Sequence, residues 1–179
     1  VFKTTNEITL PISGTGSAGM ETAIVNVIEP GDTMVVGING YFGDRIAQIG
    51  ERSGATVARV NADWGLPLDP DKLNEELKKH KRVKAVAMVH AETSTGVRSP
   101  AKEITALAHA HDALVIIDTV TSLGGVEVAM DDWDADVSYS GTQKCLGCPP
   151  GLSPVTFGPR AESVIYNRKT PVQSWYLDT

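Results

Sequence analysis

"SGTGSAGMETAIVNVIEPGD", residues 13 to 32, is the stretch that decides the fold. It follows a short apolar segment, passes through a glycine-rich turn, and continues from Met20 with apolar residues at helical spacing until Pro30 and Gly31. Strand, tight turn and helix in this order are typical of α/β proteins. Such a turn exposes backbone N–H groups at the positive end of a helix. The stretch therefore predicts an α/β fold with an anion site at the turn.

The same alternation of strand and helix continues along the chain. Strands are predicted at residues 8–13, 33–38, 56–61, 83–90, 113–120, 137–144 and 153–158. Amphipathic segments between them predict helices, including 44–54, 69–80 and 100–111. We expect a three-layer α/β/α sandwich with a mostly parallel sheet of about seven strands. Ligands of such sheets bind beyond the carboxyl ends of the strands.

Gly14, Gly16 and Gly19 form the G-x-G-x-x-G pattern of dinucleotide-binding proteins. That pattern needs an acidic residue at the end of the second strand to bind the ribose. The second predicted strand, "TMVVGI" at 33–38, continues into "NGYFGDR" and has no acidic residue at its end. The turn therefore predicts a site for another anion, and a glycine-rich turn without a ligand is the alternative.

Composition and cysteine usage exclude several classes of function. The 179 residues carry a net charge of −6, which argues against nucleic acid or an acidic membrane surface as partner. No apolar run approaches the roughly 18 residues of a membrane-spanning helix. Cys145 and Cys148 form a C-x-x-C pair, but no further residues with zinc-ligand spacing accompany it, and Pro149 to Gly151 follow instead of a helix. We expect reduced thiols, no metal and a cytoplasmic location.

Asp118 and Lys144 are the strongest candidates for chemistry. Asp118 ends the apolar strand of "ALVIIDTVTS", where a carboxylate is desolvated and needs a partner. Lys144 lies in the small, neutral context of "YSGTQKCLG", where a lysine loses its charge more easily and can attack a carbonyl. A phosphate site, a buried aspartate and a lysine together match pyridoxal 5′-phosphate (PLP). His90 also ends a predicted strand. A histidine at this place can act as a base, but it is more often buried and hydrogen-bonded.

Several motifs together resemble one family, and they cover nearly the whole chain. They are "SGTGSAGMETAIVNVIEPGD", "GINGYFGDR", "HAETSTGV", "VIIDTVTSLGG", "SYSGTQKCLGCPPG" and "NRKTPVQSWYLD". In this order they resemble the large domain of the fold-type I, class V PLP-dependent aminotransferases. The resemblance is greatest to the alanine–glyoxylate and serine–glyoxylate (serine–pyruvate) group. It implies transfer of an amino group from alanine or serine to a 2-oxo acid such as glyoxylate or pyruvate.

The resemblance also assigns roles to residues. Lys144 is implied to form the Schiff base with the cofactor and to move the substrate's α-proton, and Asp118 to bind the pyridinium nitrogen. Phe42 stands where a tryptophan is common, which keeps an aromatic face but loses an indole N–H. The implied phosphate ligands are Thr15, Gly16, Ser17 and Gln143, and the implied neighbours of the ring are Phe42, Thr93 and Val120.

The resemblance implies that residues 1–179 are the PLP-binding large domain of a longer homodimeric enzyme. An N-terminal segment and a C-terminal small domain, which supplies the arginine for the substrate carboxylate, are then absent. Related class V enzymes that use ureidoglycine or pyridoxamine as amino donor remain open. A cysteine desulfurase or selenocysteine lyase is expected to carry histidines where Phe42 and Gln143 stand, and is not favoured. A non-enzymatic nucleotide-binding module and an inactive fragment are also compatible with the sequence.

Overall fold

A seven-stranded sheet forms the middle layer of the protein, whose computed structural model describes all of residues 1–179. Its strands, in the spatial order β1-β9-β8-β7-β4-β2-β3, are β1 (Ile8–Gly14), β2 (Thr33–Ile38), β3 (Thr56–Asn61), β4 (Ala85–Val89), β7 (Leu114–Asp118), β8 (Val137–Tyr139) and β9 (Gly151–Phe157). Only β9 runs antiparallel to its neighbours, and the other pairs are parallel. A separate hairpin pairs β5 (Ala91–Glu92) with β6 (Val97–Arg98). The predicted mostly parallel sheet is confirmed.

Helices cover both faces of this sheet. They are α1 (Gly16–Val27), α2 (Tyr41–Arg52), α3 (Pro70–Leu77), α4 (Ala101–Ala110), α5 (Met130–Trp133) and α6 (Pro159–Tyr166). One apolar core joins α1, α2 and α6 to the sheet, and a second joins α3, α4 and α5 to the opposite face. Within β2, Met34 and Val36 belong to the first core and Val35 to the second, as the two-residue period of a strand requires. These two cores make the predicted three-layer sandwich.

The segment predicted as a strand at 137–144 departs from that prediction. Regular pairing ends at Tyr139, and a turn follows at 142–146. Ser140 N and Thr142 N still donate to the carbonyl oxygens of Pro154 and Leu152, at 2.9 and 3.1 Å. Between them the chain runs close to the start of α1, since a Cβ on Gly141 would lie 3.2 Å from the backbone nitrogen of Gly16. A small residue is needed at this close approach, and Lys144 lies in the turn rather than in a strand.

The parallel strands bring their carboxyl ends to one edge of the sheet. β1 shares the direction of β8 because both are antiparallel to β9. Gly14, the last residue of β1, has φ +144°, a conformation that glycine adopts readily and that turns the chain into α1. The N-termini of α1 and α2 consequently reach the same edge as the ends of β4, β7 and β8. None of the helices combines the length and apolar sequence needed to cross a membrane.

Candidate active site

A cavity of about 190 Å³ lies at this edge of the sheet. It is lined by all nine residues to which the family resemblance assigns a role, namely Thr15, Gly16, Ser17, Phe42, Thr93, Asp118, Val120, Gln143 and Lys144. They come from five separate segments of the chain. The structure therefore brings the predicted anion site, the buried aspartate and the lysine together around one space.

The N-terminus of α1 forms one end of the cavity. Thr15 is the N-cap residue, yet no side chain caps the helix, so the first backbone N–H groups of Gly16 and Ser17 have no partner within it. A Cβ on Gly16 would lie 2.7 Å from Val120 Cγ2, so only glycine lets Val120 pack this closely. These unpaired N–H groups, at the positive end of a twelve-residue helix, suit an anion.

Asp118 forms the floor of the cavity and is 2% exposed. Its Oδ1 accepts a hydrogen bond from Val120 N at 2.8 Å, and its Oδ2 accepts one from the Tyr139 hydroxyl at 2.9 Å. Burial raises the pKa of Asp118 to about 6, although both hydrogen bonds favour the charged form. The negative charge of Glu92 adds to the rise. A carboxylate held only by neutral donors is suited to pairing with a cationic group of a ligand.

Glu92 is a second buried carboxylate, 1% exposed, behind the cavity. It caps α2 by accepting hydrogen bonds from Phe42 N and Gly43 N, each at 3.2 Å to Oε2. Its Oε1 also accepts a bond from the Ser94 hydroxyl at 2.7 Å. This cap starts α2 at Tyr41 rather than at the predicted Asp44, and it fixes the backbone that carries the Phe42 ring.

Three polar side chains form the remaining wall and have few partners within the protein. Lys144 is exposed, and its amino group makes no ion pair or hydrogen bond. The Oε1 atom of Gln143 is buried and unpartnered. Thr93 Oγ1 makes one long hydrogen bond, 3.3 Å, to Thr121 Oγ1. Buried polar atoms are normally satisfied, so the unpartnered Gln143 Oε1 indicates a ligand with polar groups of its own.

Comparison with known proteins identifies the family. A family model described as aminotransferase class-V matches residues 2–165. The chain belongs to the class-V aminotransferases. It is 44% identical over 178 residues to an alanine–glyoxylate aminotransferase of Callithrix jacchus, covering 99% of this chain and 43% of the relative. It is also 44% identical over 169 residues to an (S)-ureidoglycine–glyoxylate transaminase of Bacillus subtilis, covering 94% of this chain and 40% of the relative.

A solved structure gives the same result for the fold. The alanine–glyoxylate aminotransferase of Nostoc sp. superimposes with a TM-score of 0.95 at 44% identity, over 99% of this chain and 47% of that one. This class-V chain therefore spans less than half the length of each of these three relatives.

The structure adds four residues to the site that the sequence analysis did not assign to it. Met20, Arg45 and Val89 line the cavity, and Glu92 caps α2 behind it. Met20 and Val89 follow apolar periodicity and give no signal beyond packing. Arg45 follows Phe42 by three residues, which places both on one face of α2 once that helix is known to begin at Tyr41.

His90 and the two cysteines lie outside the cavity lining. His90 is 3% exposed, and its ring packs edge-on against Trp133 with 5.0 Å between ring centres. Its Nδ1 has no hydrogen-bond partner, and burial lowers its pKa to about 4, so the ring is neutral near pH 7. Cys145 and Cys148 are both free and exposed. His90 is therefore a packing residue and not a base at the cavity.

Proposed function

We propose that the protein is a PLP-dependent aminotransferase that moves an amino group from a small amino acid, alanine or serine, to a 2-oxo acid such as glyoxylate or pyruvate. The observation that carries the proposal is the single cavity shared by the α1 N-terminus, Asp118 and Lys144. Membership of the class-V family and the names of the relatives support it. Residues 1–179 would be the cofactor-binding large domain of this enzyme.

The residues present fit PLP at both ends of the molecule. The uncapped amides of Gly16 and Ser17 suit the phosphate, and the orphaned amide oxygen of Gln143 can turn so that its NH₂ group donates there. Asp118 would bind the pyridinium N–H, because a bound cation compensates for the loss of hydration that raises the pKa of this buried carboxyl. The Phe42 and Val120 side chains would hold the two ring faces, with Thr93 near the phenolic oxygen.

Bound PLP supplies an electron-withdrawing ring that stabilises negative charge at the substrate α-carbon. Lys144 would bind the cofactor's aldehyde carbon through Nζ and, once displaced by the substrate amine, carry the proton that leaves the α-carbon. Its freedom from ion pairs leaves that nitrogen available. Asp118 would keep the ring nitrogen protonated, because its ionised form is stabilised by the bound cation.

Binding of PLP to Lys144 is tested by spectroscopy and mass spectrometry. The protein mixed with PLP should develop the visible band of lysine-bound PLP, and borohydride reduction should fix the cofactor mass on the peptide that contains Lys144. Lys144→Ala should abolish both signals, whereas Lys102→Ala, at an exposed position on α4, should leave them unchanged. A wild-type protein without the band, or a band that survives in Lys144→Ala, contradicts the proposal.

A second amino donor is favoured by one observation. The ureidoglycine–glyoxylate transaminase of Bacillus subtilis is as similar to this chain as the alanine–glyoxylate enzyme is, at 44% identity each. Half-reactions distinguish the donors: loss of the visible band after mixing with alanine, serine or (S)-ureidoglycine identifies the donor, and its return with glyoxylate or pyruvate identifies the acceptor. A preference for ureidoglycine overturns the alanine or serine assignment and leaves the transaminase proposal intact.

We also propose that the protein acts as a homodimer in the cytoplasm. Large aromatic side chains near residue 175 are exposed, with Trp175 at 93% and Tyr176 at 65%, and such groups favour burial in an interface. The free, exposed cysteines suit a reducing compartment. Light scattering that finds only monomers contradicts the homodimer. Cell fractionation that finds the protein in an organelle contradicts the cytoplasmic location.

A further inference from the structure

An arginine stands at the end of the cavity where the helix N-terminus lies. Arg45 is in the second turn of α2, is partly buried and lines the cavity. Its Nη1 donates a hydrogen bond to Ser17 Oγ at 2.9 Å. The guanidinium is thereby attached to the segment whose backbone N–H groups are unpaired.

Arg45 makes no direct ion pair with an acidic side chain. It takes part in none of the ion pairs of the chain, whereas Arg59 binds Asp44 and Glu51, and Arg160 binds Asp134 and Asp136. The neighbouring Asp44 is therefore already occupied. Asp118 is the one carboxylate of the cavity lining, and it faces two basic residues there, Arg45 and Lys144, so the lining carries an excess of positive charge when all three are ionised.

The position of this guanidinium is fixed by aromatic rings. Its carbon lies 5.0 Å from the ring centre of Phe42 and 5.0 Å from that of Tyr41. Cation–π contacts and the bond to Ser17 restrain a side chain that would otherwise be flexible. Since Ser17 Oγ accepts from Arg45, its own hydroxyl hydrogen is free to point toward a bound anion.

We infer that Arg45 is a ligand of the cofactor's phosphate and supplies its positive counter-charge. The inference rests on the proposed function and adds a residue to it. A phosphate monoester carries between one and two negative charges near pH 7, and the amides of α1 donate hydrogen bonds but no full charge. Lys144, the other basic residue of the cavity lining, is needed at the aldehyde. Arg45 and the Ser17 hydroxyl form a donor pair for the phosphate oxygens.

Two probes test Arg45 separately from the chemistry of Lys144. PLP and pyridoxal, which lacks the phosphate, are titrated against wild type, Arg45→Gln, Arg45→Lys and the control Arg52→Gln from the exposed end of the same helix. Arg45→Gln should weaken PLP binding by roughly 10- to 100-fold, the range for one lost charge-assisted hydrogen bond, and leave pyridoxal binding unchanged. The PLP affinity of Arg45→Lys should lie between those of the wild type and Arg45→Gln, because lysine keeps the positive charge but lacks the planar guanidinium with its several N–H donors. Arg52→Gln should behave as wild type.

Inorganic phosphate is the second probe and needs no cofactor. Phosphate should raise the melting temperature of the wild type, and this rise should disappear in Arg45→Gln. Equal stabilisation of both proteins, or equal weakening of PLP and pyridoxal in Arg45→Gln, overturns the inference. Failure of the proposed function looks different: the wild type then shows no visible band with PLP, while its response to phosphate still depends on Arg45.

Discussion

Replacing Asp118 with asparagine should stabilise the protein before PLP is added. The carboxyl has a pKa of about 6 in the fold against an ordinary value of 3.8. Each tenfold change in an equilibrium corresponds to about 1.4 kcal/mol, so ionised Asp118 destabilises the fold by about 3 kcal/mol above pH 6. Asparagine avoids this, and it loses about 1 kcal/mol because its NH₂ group faces a former donor. The expected net gain is about 2 kcal/mol near pH 8.

The sign of the pH dependence follows from the same difference. Well below pH 3.8 the carboxyl is protonated in both the folded and the unfolded chain, so its ionisation does not change the stability of the fold. As the pH rises from there to about 6, the unfolded chain ionises first, so the wild type loses stability relative to Asp118→Asn. The advantage of the variant should therefore fall from about 2 kcal/mol near pH 8 to almost nothing near pH 4.5.

Asp136 provides a matched control for this substitution. It is also 2% exposed, but it accepts hydrogen bonds from His109 Nε2 at 2.9 Å and Arg160 Nε at 2.7 Å. Asp136→Asn breaks a buried ion pair and should destabilise the protein by about 3 kcal/mol. Urea denaturation followed by tryptophan fluorescence measures both variants. If Asp118→Asn is less stable than wild type near pH 8, or its advantage does not shrink on acidification, the electrostatic account of Asp118 is wrong.

Three further variants test the supports of the cavity. Gly19→Ala should destabilise the fold by about 1–3 kcal/mol through overpacking, because the added Cβ would lie 2.0 Å from the buried Ser153 hydroxyl of β9. Gly158→Ala is the control: its Cβ would meet no atom closer than 3.4 Å, and it should change stability by less than about 1 kcal/mol. The denaturation midpoints of the two variants measure this difference. Glu92→Gln weakens the cap of α2 and should lower the free energy of unfolding by about 1–2 kcal/mol. Amide hydrogen exchange should become faster in the first turn of α2 only, and unchanged exchange there would contradict the capping role of Glu92. Tyr139→Phe removes a hydrogen bond to Asp118 and should raise the pKa of that carboxyl above 6, visible by NMR titration; an unchanged or lower pKa refutes it.

Much of the site could be predicted because it is placed by strand ends. Asp118 and the glycine-rich turn after β1 each end an apolar strand, and a parallel sheet brings such ends together. The resemblance to the class-V family added Thr93, Phe42 and Gln143, which have no distinctive pattern of their own. All of them line the cavity, while their roles toward PLP remain proposals.

The sequence by itself determined the layers and the edge at which the cavity lies, because hydrophobic periodicity and the alternation of strands with helices along the chain are local properties of the residue pattern. The spatial order of the strands was left to the tertiary structure. It did not determine the contacts made across that edge. The length of β8, the cap of Glu92 on α2 and the unpaired charge of Arg45 depend on which segments meet, up to 50 residues apart in the case of Glu92 and Phe42. Only the tertiary structure decides these, since hydrogen bonding and charge compensation depend on distance in space and not on separation along the chain.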